Sequence, residues 1–318
     1  MKISVVVPIF NEELAIAENV RAIVKALNDL GRDWELVLVN DGSRDKTLEI
    51  ITGLAKENSK IKVVSYTTNR GRGHALKTGF AAATGDYVIA TESDLNWGTE
   101  IFGNFVRELD KGDADIIVAS PHMKGGRMEN VPFSRWLLSY LGNKIFSLAF
   151  PGKMTMCTGM TRAYKKEVLD SLDLESDDKE LHIEILYKAL DLGFTVKEIP
   201  AILRWKKPEK GVIVRKSHFK YKAILKHLLL SFGVKPFLLF GGLGFGLVGI
   251  GSIIGIYLLV LWLGGEAIGA RPILFTAVLL IVVGFQVLVF GFLANQNREI
   301  KRQLARVQKA IKESSEKS

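Results

Sequence analysis

The sequence predicts an α/β protein in which a doubly wound, mostly parallel sheet precedes a membrane-spanning part. Over residues 1–200, short β-type runs alternate with segments of helical periodicity, the pattern of a parallel sheet covered on both faces. Two long apolar stretches without charged residues follow, and a strongly basic segment lies between them and the sheet. These three observations set the order of the expected elements.

Four β-type runs are separated by three segments of helical periodicity. The runs cover residues 3–7, 35–39, 61–66 and 87–91, and the helical periodicity covers residues 16–30, 48–54 and 74–83. In such sheets, ligands bind beyond the carboxyl ends of the strands. The segments at those ends are PIFNEE, NDGSRD, TTNRGRGH and ESDLN, the most polar and glycine-rich parts of the region.

The apolar stretches, residues 237–263 and 272–293, are each as long as the roughly 20 residues that a spanning helix needs. The connection GGEAIGAR is too short for a domain, so we expect a hairpin with both flanks on one side. Residues 201–236 hold ten Lys and Arg against one acid, and residues 294–318 hold seven against three. This bias predicts that both flanks are cytoplasmic. The alternative is two helices buried in a soluble core.

The net charge of +9 resides beside the membrane, because residues 1–200 alone are net acidic. This placement indicates contact with anionic lipid. We expect no nucleic-acid partner, because the positive residues cluster next to the lipid. The start, MKISVVVP, enters a strand without a leader, so we expect the globular part to fold in the cytoplasm. A single cysteine, Cys157, excludes an internal disulfide framework.

We therefore expect four parts. They are a cytoplasmic globular domain over residues 1–215, a basic amphipathic helix in the bilayer interface over 216–235, a transmembrane hairpin over 236–294 and a basic cytoplasmic tail over 295–318. The alternative for residues 216–235 is a helix packed on the globular core. The protein would be multi-pass in the cell membrane or an endomembrane.

Several acids are expected around one crevice at the strand ends. They are Glu12, Asp41, Glu92 and Asp94, with Asn96 as a further oxygen ligand. On an extended strand, Glu92 and Asp94 would project from the same face and repel each other unless a positive charge lay between them. Oxygen ligands of this kind suit Mg²⁺ or Mn²⁺ bound together with a diphosphate. A dinucleotide site is disfavoured because G-x-G-x-x-G does not follow the first strand.

Five ordered motifs carry a resemblance to a known family over roughly residues 1–235. VVVPIFNEE, LVLVNDGSRDKT, NRGRGHALKTGF, GDYVIATESD and TGMTRAYKKEVLD are similar to those of the inverting family-2 glycosyltransferases of GT-A fold. With the hairpin, the chain resembles the branch of dolichol-phosphate mannose synthases and polyprenyl-phosphate glucosyltransferases. The resemblance implies a membrane-bound transferase that moves a hexose from GDP-mannose or a UDP-hexose to polyprenyl or dolichyl phosphate.

The resemblance also implies three groups of site residues. Those for the nucleotide sugar are Pro8, Phe10, Glu12, Val39, Asp41, Glu92, Ser93 and Asp94. Those for Mg²⁺ or Mn²⁺ are Glu92, Asp94 and Asn96. Those for the acceptor phosphate are Arg135, Arg162, Arg204, Lys206 and Lys216. Asp94 and Arg135 are the expected catalytic residues.

The chain departs from the family pattern at two places. Glu92 and Asn96 stand where the family usually has Asp and Gln. After the fifth strand, where the synthases usually read Gly-Ser-Arg, residues 119–121 read Ala-Ser-Pro and are followed by His122, a candidate for the missing positive charge.

Two other functions remain open at this point. A family-2 transferase that uses a saccharide hydroxyl would need a general base, for which Asp177, Asp178 and Glu184 are candidates, although the Gln-x-x-Arg-Trp motif of the processive enzymes is absent. A non-catalytic, membrane-tethered nucleotide binder is the other. The expected partners are the nucleotide sugar, the lipid phosphate and the bilayer, and a homo-oligomer is left open.

The charge bias yields a prediction about topology. Reporters fused before Met1 and after Ser318 should both report the cytoplasm, and one inserted at Glu266 should report the opposite side. A paired phosphatase and fluorescent-protein assay measures this. Termini on opposite sides would mean that one apolar stretch is not a span.

Overall fold

The computed structural model describes residues 1–147, 150, 154–205, 236–267 and 272–315. The chain divides into two compact units, Met1–Leu230 and Ser231–Ser318. Within the described residues, the first unit holds the α/β part and the second holds two long helices. The predicted interfacial helix, residues 216–235, lies outside the described residues, so the four predicted domain boundaries remain predictions.

A seven-stranded sheet with the order β3-β2-β1-β4-β7-β5-β8 forms the centre of the first unit. The strands are β1 Lys2–Ile9, β2 Asp33–Asp41, β3 Ile61–Tyr66, β4 Tyr87–Ala90, β5 Ile116–Ser120, β6 Arg127–Glu129, β7 Arg162–Lys165, β8 Val196–Pro200 and β9 Ile202–Arg204. All pairings in the sheet are parallel except those of β7, which runs antiparallel to both β4 and β5. A separate parallel pair joins β6 to β9. The prediction of a mostly parallel α/β fold is confirmed.

Helices cover this sheet and form the second unit. They are α1 Ile16–Asp29, α2 Thr47–Glu57, α3 Arg72–Ala82, α4 Glu100–Leu109, α5 Phe133–Ser147, α6 Lys166–Asp170, α7 Leu181–Asp191, α8 Pro236–Leu263 and α9 Pro272–Ser315. Every residue of β1 from Ile3 to Val7 is buried, so both faces of the central strand are covered. The parallel register brings the carboxyl ends of β1, β2 and β4 to one edge of the sheet.

The two long helices pack closely against each other. A Cβ atom at Gly244 would lie 2.8 Å from the carbonyl oxygen of Gly284, and one at Gly284 would lie 2.9 Å from that of Gly244. Small residues at such crossings let helix backbones approach within a membrane. The stretches Phe240–Leu263 and Pro272–Asn297 are long and apolar enough to span one, and 11% of each is buried in the described structure. This low burial argues against two helices in a soluble core. The orientation of the helices remains a prediction.

The Glu35 side chain of β2 connects β1 to the segment just before β4. Its carboxylate accepts hydrogen bonds from the Ser4 hydroxyl, the Thr84 amide and the Lys2 ammonium group. Burial alone would raise the pKa of Glu35, but these donors outweigh it and lower the pKa from 4.5 to about 2.

We expect Glu35→Gln to destabilise the protein above pH 4.5. A lowered folded-state pKa means that the carboxylate contributes stability above its unfolded pKa, and that this contribution disappears as the pH falls toward about 2. The difference in the free energy of unfolding should be roughly 2–3 kcal/mol at pH 7. Denaturant unfolding of the detergent-solubilised chain, followed by tryptophan fluorescence, measures it. Glu49→Gln, at an exposed position of α2, is the control. A difference independent of pH would contradict the prediction.

Candidate active site

A crevice of about 530 Å³ opens at the carboxyl ends of β1, β2 and β4. The polar segments that follow these strands converge there, as the sheet topology predicts. The predicted nucleotide-sugar residues that line it are Pro8, Phe10, Glu12, Asp41, Glu92, Ser93 and Asp94. Val39 is not among the lining residues, because it is fully buried within β2.

Further residues line the crevice that the sequence analysis did not assign to it. They are Ile9, Asn69, Gly71, Arg72, Met160, Asp178 and Lys179. Three of them belong to the segment after β3, whose glycine-rich sequence was noted as a strand end. Met160, Asp178 and Lys179 come from parts of the chain that no local pattern connects with the first four strands.

Hydrogen bonds join the loop after β1 to the loop after β2. The Asn11 amide donates to the Ser43 hydroxyl at 3.0 Å, and the Asn11 side-chain oxygen accepts from the Arg44 amide at 2.8 Å. The Glu12 amide donates to the Thr47 hydroxyl at 2.8 Å. Asn11 has a positive φ of 55°, a conformation that Asn adopts more readily than most residues. One wall of the crevice is thus held by both loops.

Asp41 is buried, and its two carboxylate oxygens accept hydrogen bonds from the end of β3 and from the segment after it. Oδ1 accepts from the Tyr66 hydroxyl and the Arg70 amide, each at 2.8 Å. Oδ2 accepts from the Asn69 side chain at 2.9 Å and the Gly71 amide at 3.1 Å. A carboxylate has about four lone-pair sites, so these donors occupy them. Asp41 therefore holds this segment in place, and its predicted contact with the nucleoside remains a prediction.

The acids after β4 lie on a turn, so the expectation that they project from an extended strand is wrong. The strand ends at Ala90, and Leu95 has a positive φ of 54°, which is unusual for a bulky residue. The Asn96 amide donates to Asp94 Oδ1 at 3.1 Å, and the Asn96 side-chain nitrogen donates to Asp94 Oδ2. A left-handed turn, rather than strand alternation, brings Asp94 and Asn96 together. Such strain is often concentrated at functional sites.

The crevice concentrates negative charge. Burial raises the pKa of Glu92, and the neighbouring Asp94 raises it further. Burial and Asp94 likewise raise the pKa of Glu12. Opposing this effect, Arg72 Nη1 lies 3.4 Å from one oxygen of Glu92, and the indole N–H of Trp97 donates to the other at 3.3 Å.

The described residues fit an incomplete metal site. Among them, no three acidic, histidine or cysteine side chains converge to hold a metal ion unaided. The side-chain oxygen of Asn96 is buried and has no hydrogen-bond partner, while the amide nitrogen of the same side chain donates to Asp94. A hard divalent cation prefers oxygen ligands of this kind and commonly takes others from a bound phosphate.

On the expected acceptor side, Arg135 and Arg204 have different surroundings. Arg135 is exposed on α5, and its guanidinium lies 4.7 Å from the centre of the Trp205 ring, a cation–π contact. Arg204 pairs with Glu100 and, at 3.5 Å, with Glu129. These two carboxylates compete with any phosphate for Arg204, whereas the stacked Arg135 keeps its charge accessible.

The expected role of Arg162 in binding the acceptor phosphate is not supported, because its side chain is fully buried. Its guanidinium donates to the carbonyl oxygens of His182 and Cys157, each at 2.6 Å. The buried guanidinium of Arg162 therefore stabilises the fold through these two hydrogen bonds. Lys206 and Lys216 lie outside the described residues.

His122 is poorly suited to supply the missing positive charge. Burial lowers its pKa, which favours the neutral ring at neutral pH. Its Nε2 atom lies 3.1 Å from the Ser139 hydroxyl of α5. The histidine thus contributes to the attachment of α5.

Of the three candidate bases for a hydroxyl acceptor, Asp178 lines the crevice. Glu184 is buried and accepts hydrogen bonds from the Glu175 and Ser176 amides, each at 2.8 Å. Asp177 pairs with Lys77 at 2.8 Å. Glu184 and Asp177 are therefore occupied with structural contacts.

Comparisons with known proteins show which family the chain resembles. The family model described as glycosyl transferase family 2 matches residues 4–173. The chain is 26% identical over 299 residues to the undecaprenyl-phosphate 4-deoxy-4-formamido-L-arabinose transferase of Shewanella sediminis, covering 92% of this chain and 85% of that protein. It is 31% identical over 190 residues to the dolichol-phosphate mannosyltransferase of Pyrococcus furiosus, covering 59% of this chain and 53% of that protein.

A solved structure resembles the chain in fold. The glucosyl-3-phosphoglycerate synthase of Mycobacterium tuberculosis superposes with a TM-score of 0.51 at 23% identity, over 73% of this chain and 79% of that one. The same enzyme, in a complex with Mn²⁺ and UDP, gives a TM-score of 0.50 at 20% identity.

Proposed function

Because the chain belongs to glycosyl transferase family 2, we propose that it transfers a hexose from a nucleotide sugar, GDP-mannose or a UDP-hexose, to a polyprenyl or dolichyl phosphate. The product would be a lipid-phosphate-linked sugar for glycan assembly. The names of the two relatives, one acting on undecaprenyl phosphate and one on dolichol phosphate, support this acceptor class. The apolar helices α8 and α9 support a membrane location, where such an acceptor resides.

The crevice at the strand ends is the observation that supports a nucleotide sugar as the donor. It brings Glu12, Glu92 and Asp94 together beside the buried, unpaired oxygen of Asn96. Three carboxylates exclude a simple anion site, but they suit a diphosphate that arrives with a divalent cation. Pro8 and Phe10 offer an apolar surface at the same crevice for the nucleoside.

Glu92, Asp94 and Asn96 would hold the cation, Mg²⁺ or Mn²⁺. The solved synthase that shares the fold binds Mn²⁺ together with UDP, which supports a divalent ion here. When bound, the ion would offset the negative charge that grows on the leaving diphosphate. The turn at Leu95 would keep Asp94 and Asn96 oriented toward it.

The transfer itself needs few protein groups. A phosphate oxyanion of the lipid is already ionised, so it can attack the anomeric carbon without a general base. The carbon–oxygen bond to the nucleoside diphosphate breaks as the new bond forms, and the configuration inverts in this single displacement. Arg135 would bind the lipid phosphate, since a guanidinium matches phosphate oxygens and its stacking on Trp205 orients it.

A panel of substrates tests the proposal. The purified full chain is supplied with undecaprenyl or dolichyl phosphate and with GDP- and UDP-sugars, and glycolipid products are detected by mass spectrometry. We expect one preferred donor and a product of inverted anomeric configuration. Transfer to a saccharide hydroxyl alone would favour the alternative with Asp178 as base, and nucleotide binding without any transfer would indicate a binding protein.

We expect Asp94→Asn to abolish transfer and weaken metal-dependent donor binding. An amide cannot replace the charge of a carboxylate beside the diphosphate, and a lost charge-assisted contact costs roughly 1.5–3 kcal/mol. Glu92→Asp, the residue usual in the family, should keep measurable activity. Turnover assays and calorimetric titration with Mn²⁺ measure both effects. Full activity of Asp94→Asn in a chelator would exclude the metal assignment.

Arg135→Ala should impair use of the lipid and leave nucleotide affinity unchanged. The reason is that the donor residues of the crevice lie on other elements, whereas Arg135 is on α5. The expected change is a rise of about ten-fold or more in the KM for the lipid, or a matching fall in kcat. Arg127→Ala, at an exposed position of β6, is the control. Loss of nucleotide binding with normal lipid use would contradict the assignment of Arg135 to the lipid phosphate.

A further inference from the structure

The crevice contains two positively charged side chains, Arg72 and Lys179, that belong to none of the predicted site groups. Arg72 is the first residue of α3, and its guanidinium reaches across to Glu92 at 3.4 Å. Its side chain is 43% exposed, so the guanidinium is accessible from the crevice. Lys179 acts on Glu92 through its charge and follows Asp177 and Asp178, whose backbone lies against Gly71 and Gly73.

The backbone on both sides of Arg72 is constrained by two glycines. Gly71 has a positive φ of 97° and donates its amide to Asp41. A Cβ atom at Gly73 would lie 2.6 Å from the backbone of Asp177, so only glycine allows that approach. The two glycines fix the chain on either side of Arg72, and the side chain must then project from a defined point.

Among the described residues, the Arg72 guanidinium is the cation in contact with Glu92. The nearby Asp94 repels Glu92, and the Arg72 guanidinium offsets this repulsion. A divalent cation bound to Glu92 would offset the same repulsion more strongly than Arg72, because its charge is larger. The guanidinium would then be left beside whatever anion the cation carries. Its planar fork of donors matches phosphate oxygens.

We infer that Arg72 exchanges partners during donor binding: it pairs with Glu92 in the empty crevice and with the diphosphate of the nucleotide sugar once a divalent cation occupies Glu92. This inference rests on the proposed function, because it assumes a diphosphate donor. It makes Arg72 a donor-binding residue that competes with the metal ion for one carboxylate and cooperates with it for the diphosphate.

Removal of the guanidinium should therefore act on two affinities with opposite signs. In Arg72→Gln, Mn²⁺ alone should bind several-fold more tightly, because it no longer displaces or repels a neighbouring cation. UDP and GDP measured at saturating Mn²⁺ should bind about ten-fold more weakly or worse, because the charge-assisted contact that Arg72 makes to the diphosphate is lost. A role limited to folding would lower both affinities together.

The experiment uses the full chain in detergent. Binding of Mn²⁺ alone is measured by electron paramagnetic resonance of the free ion, and binding of UDP and GDP by calorimetry at saturating Mn²⁺. Arg72→Lys should recover part of the nucleotide affinity, since it restores the charge without the fork. Arg70→Gln is the matched control, because Arg70 is two residues away, exposed and not part of the crevice lining. We expect it to bind both probes like the unaltered chain.

Each outcome decides the inference. Tighter Mn²⁺ binding with weaker nucleotide binding supports it. Parallel changes in both affinities, or unchanged nucleotide affinity in Arg72→Gln, overturn it. If the unaltered chain binds neither UDP nor GDP with or without Mn²⁺, the proposed donor class fails and the inference fails with it. If the unaltered chain binds them but transfers no sugar to lipid, the acceptor half of the proposed function fails while the inference stands or falls on the two affinities.

Discussion

Repulsion among carboxylates at the ends of the central strands is the constraint on which the rest of the site depends. Glu12, Glu92 and Asp94 meet there because β1 and β4 are adjacent and parallel. Partial burial makes each negative charge harder to accommodate. The fold accommodates them with a cation in contact, Arg72, and with a crevice that remains open to ligands carrying positive charge.

Backbone amides and buried polar side chains set the shape of that crevice. Asp41 receives two amide donors from the segment after β3, and Asn11 joins the loops after β1 and β2. Because these contacts are internal to the protein, the walls exist before a ligand binds, which reduces the ordering cost of binding. On the other side, Asn143 of α5 accepts hydrogen bonds from the amides of Cys157 and Thr158 through its side-chain oxygen. α5, the helix that carries Arg135, is thereby attached to the loop before β7.

The mostly parallel α/β fold and most of the crevice lining could be predicted from the sequence, because buried parallel strands are continuous apolar runs and their ends face a common edge. The four predicted strands all exist, within two residues at each end. Roles of single arginines could not be predicted, since a guanidinium that is buried, like Arg162, and one that is stacked, like Arg135, look alike in a sequence. The arrival of Met160 and Lys179 at the crevice depends on β7, a long-range pairing without a local signal.

The antiparallel strand β7 also bears on how the protein is made. β1 to β4 can pair with one another as soon as they leave the ribosome, since all four strands precede residue 91. β5 and β8 can join this sheet only through β7, which is synthesised about 70 residues after β4, or several seconds later at ordinary elongation rates. During that interval one edge of β4 lacks its partner strand, and the acidic turn that follows it keeps this growing edge charged. The acids of this turn would thus help to keep a nascent chain from pairing with another.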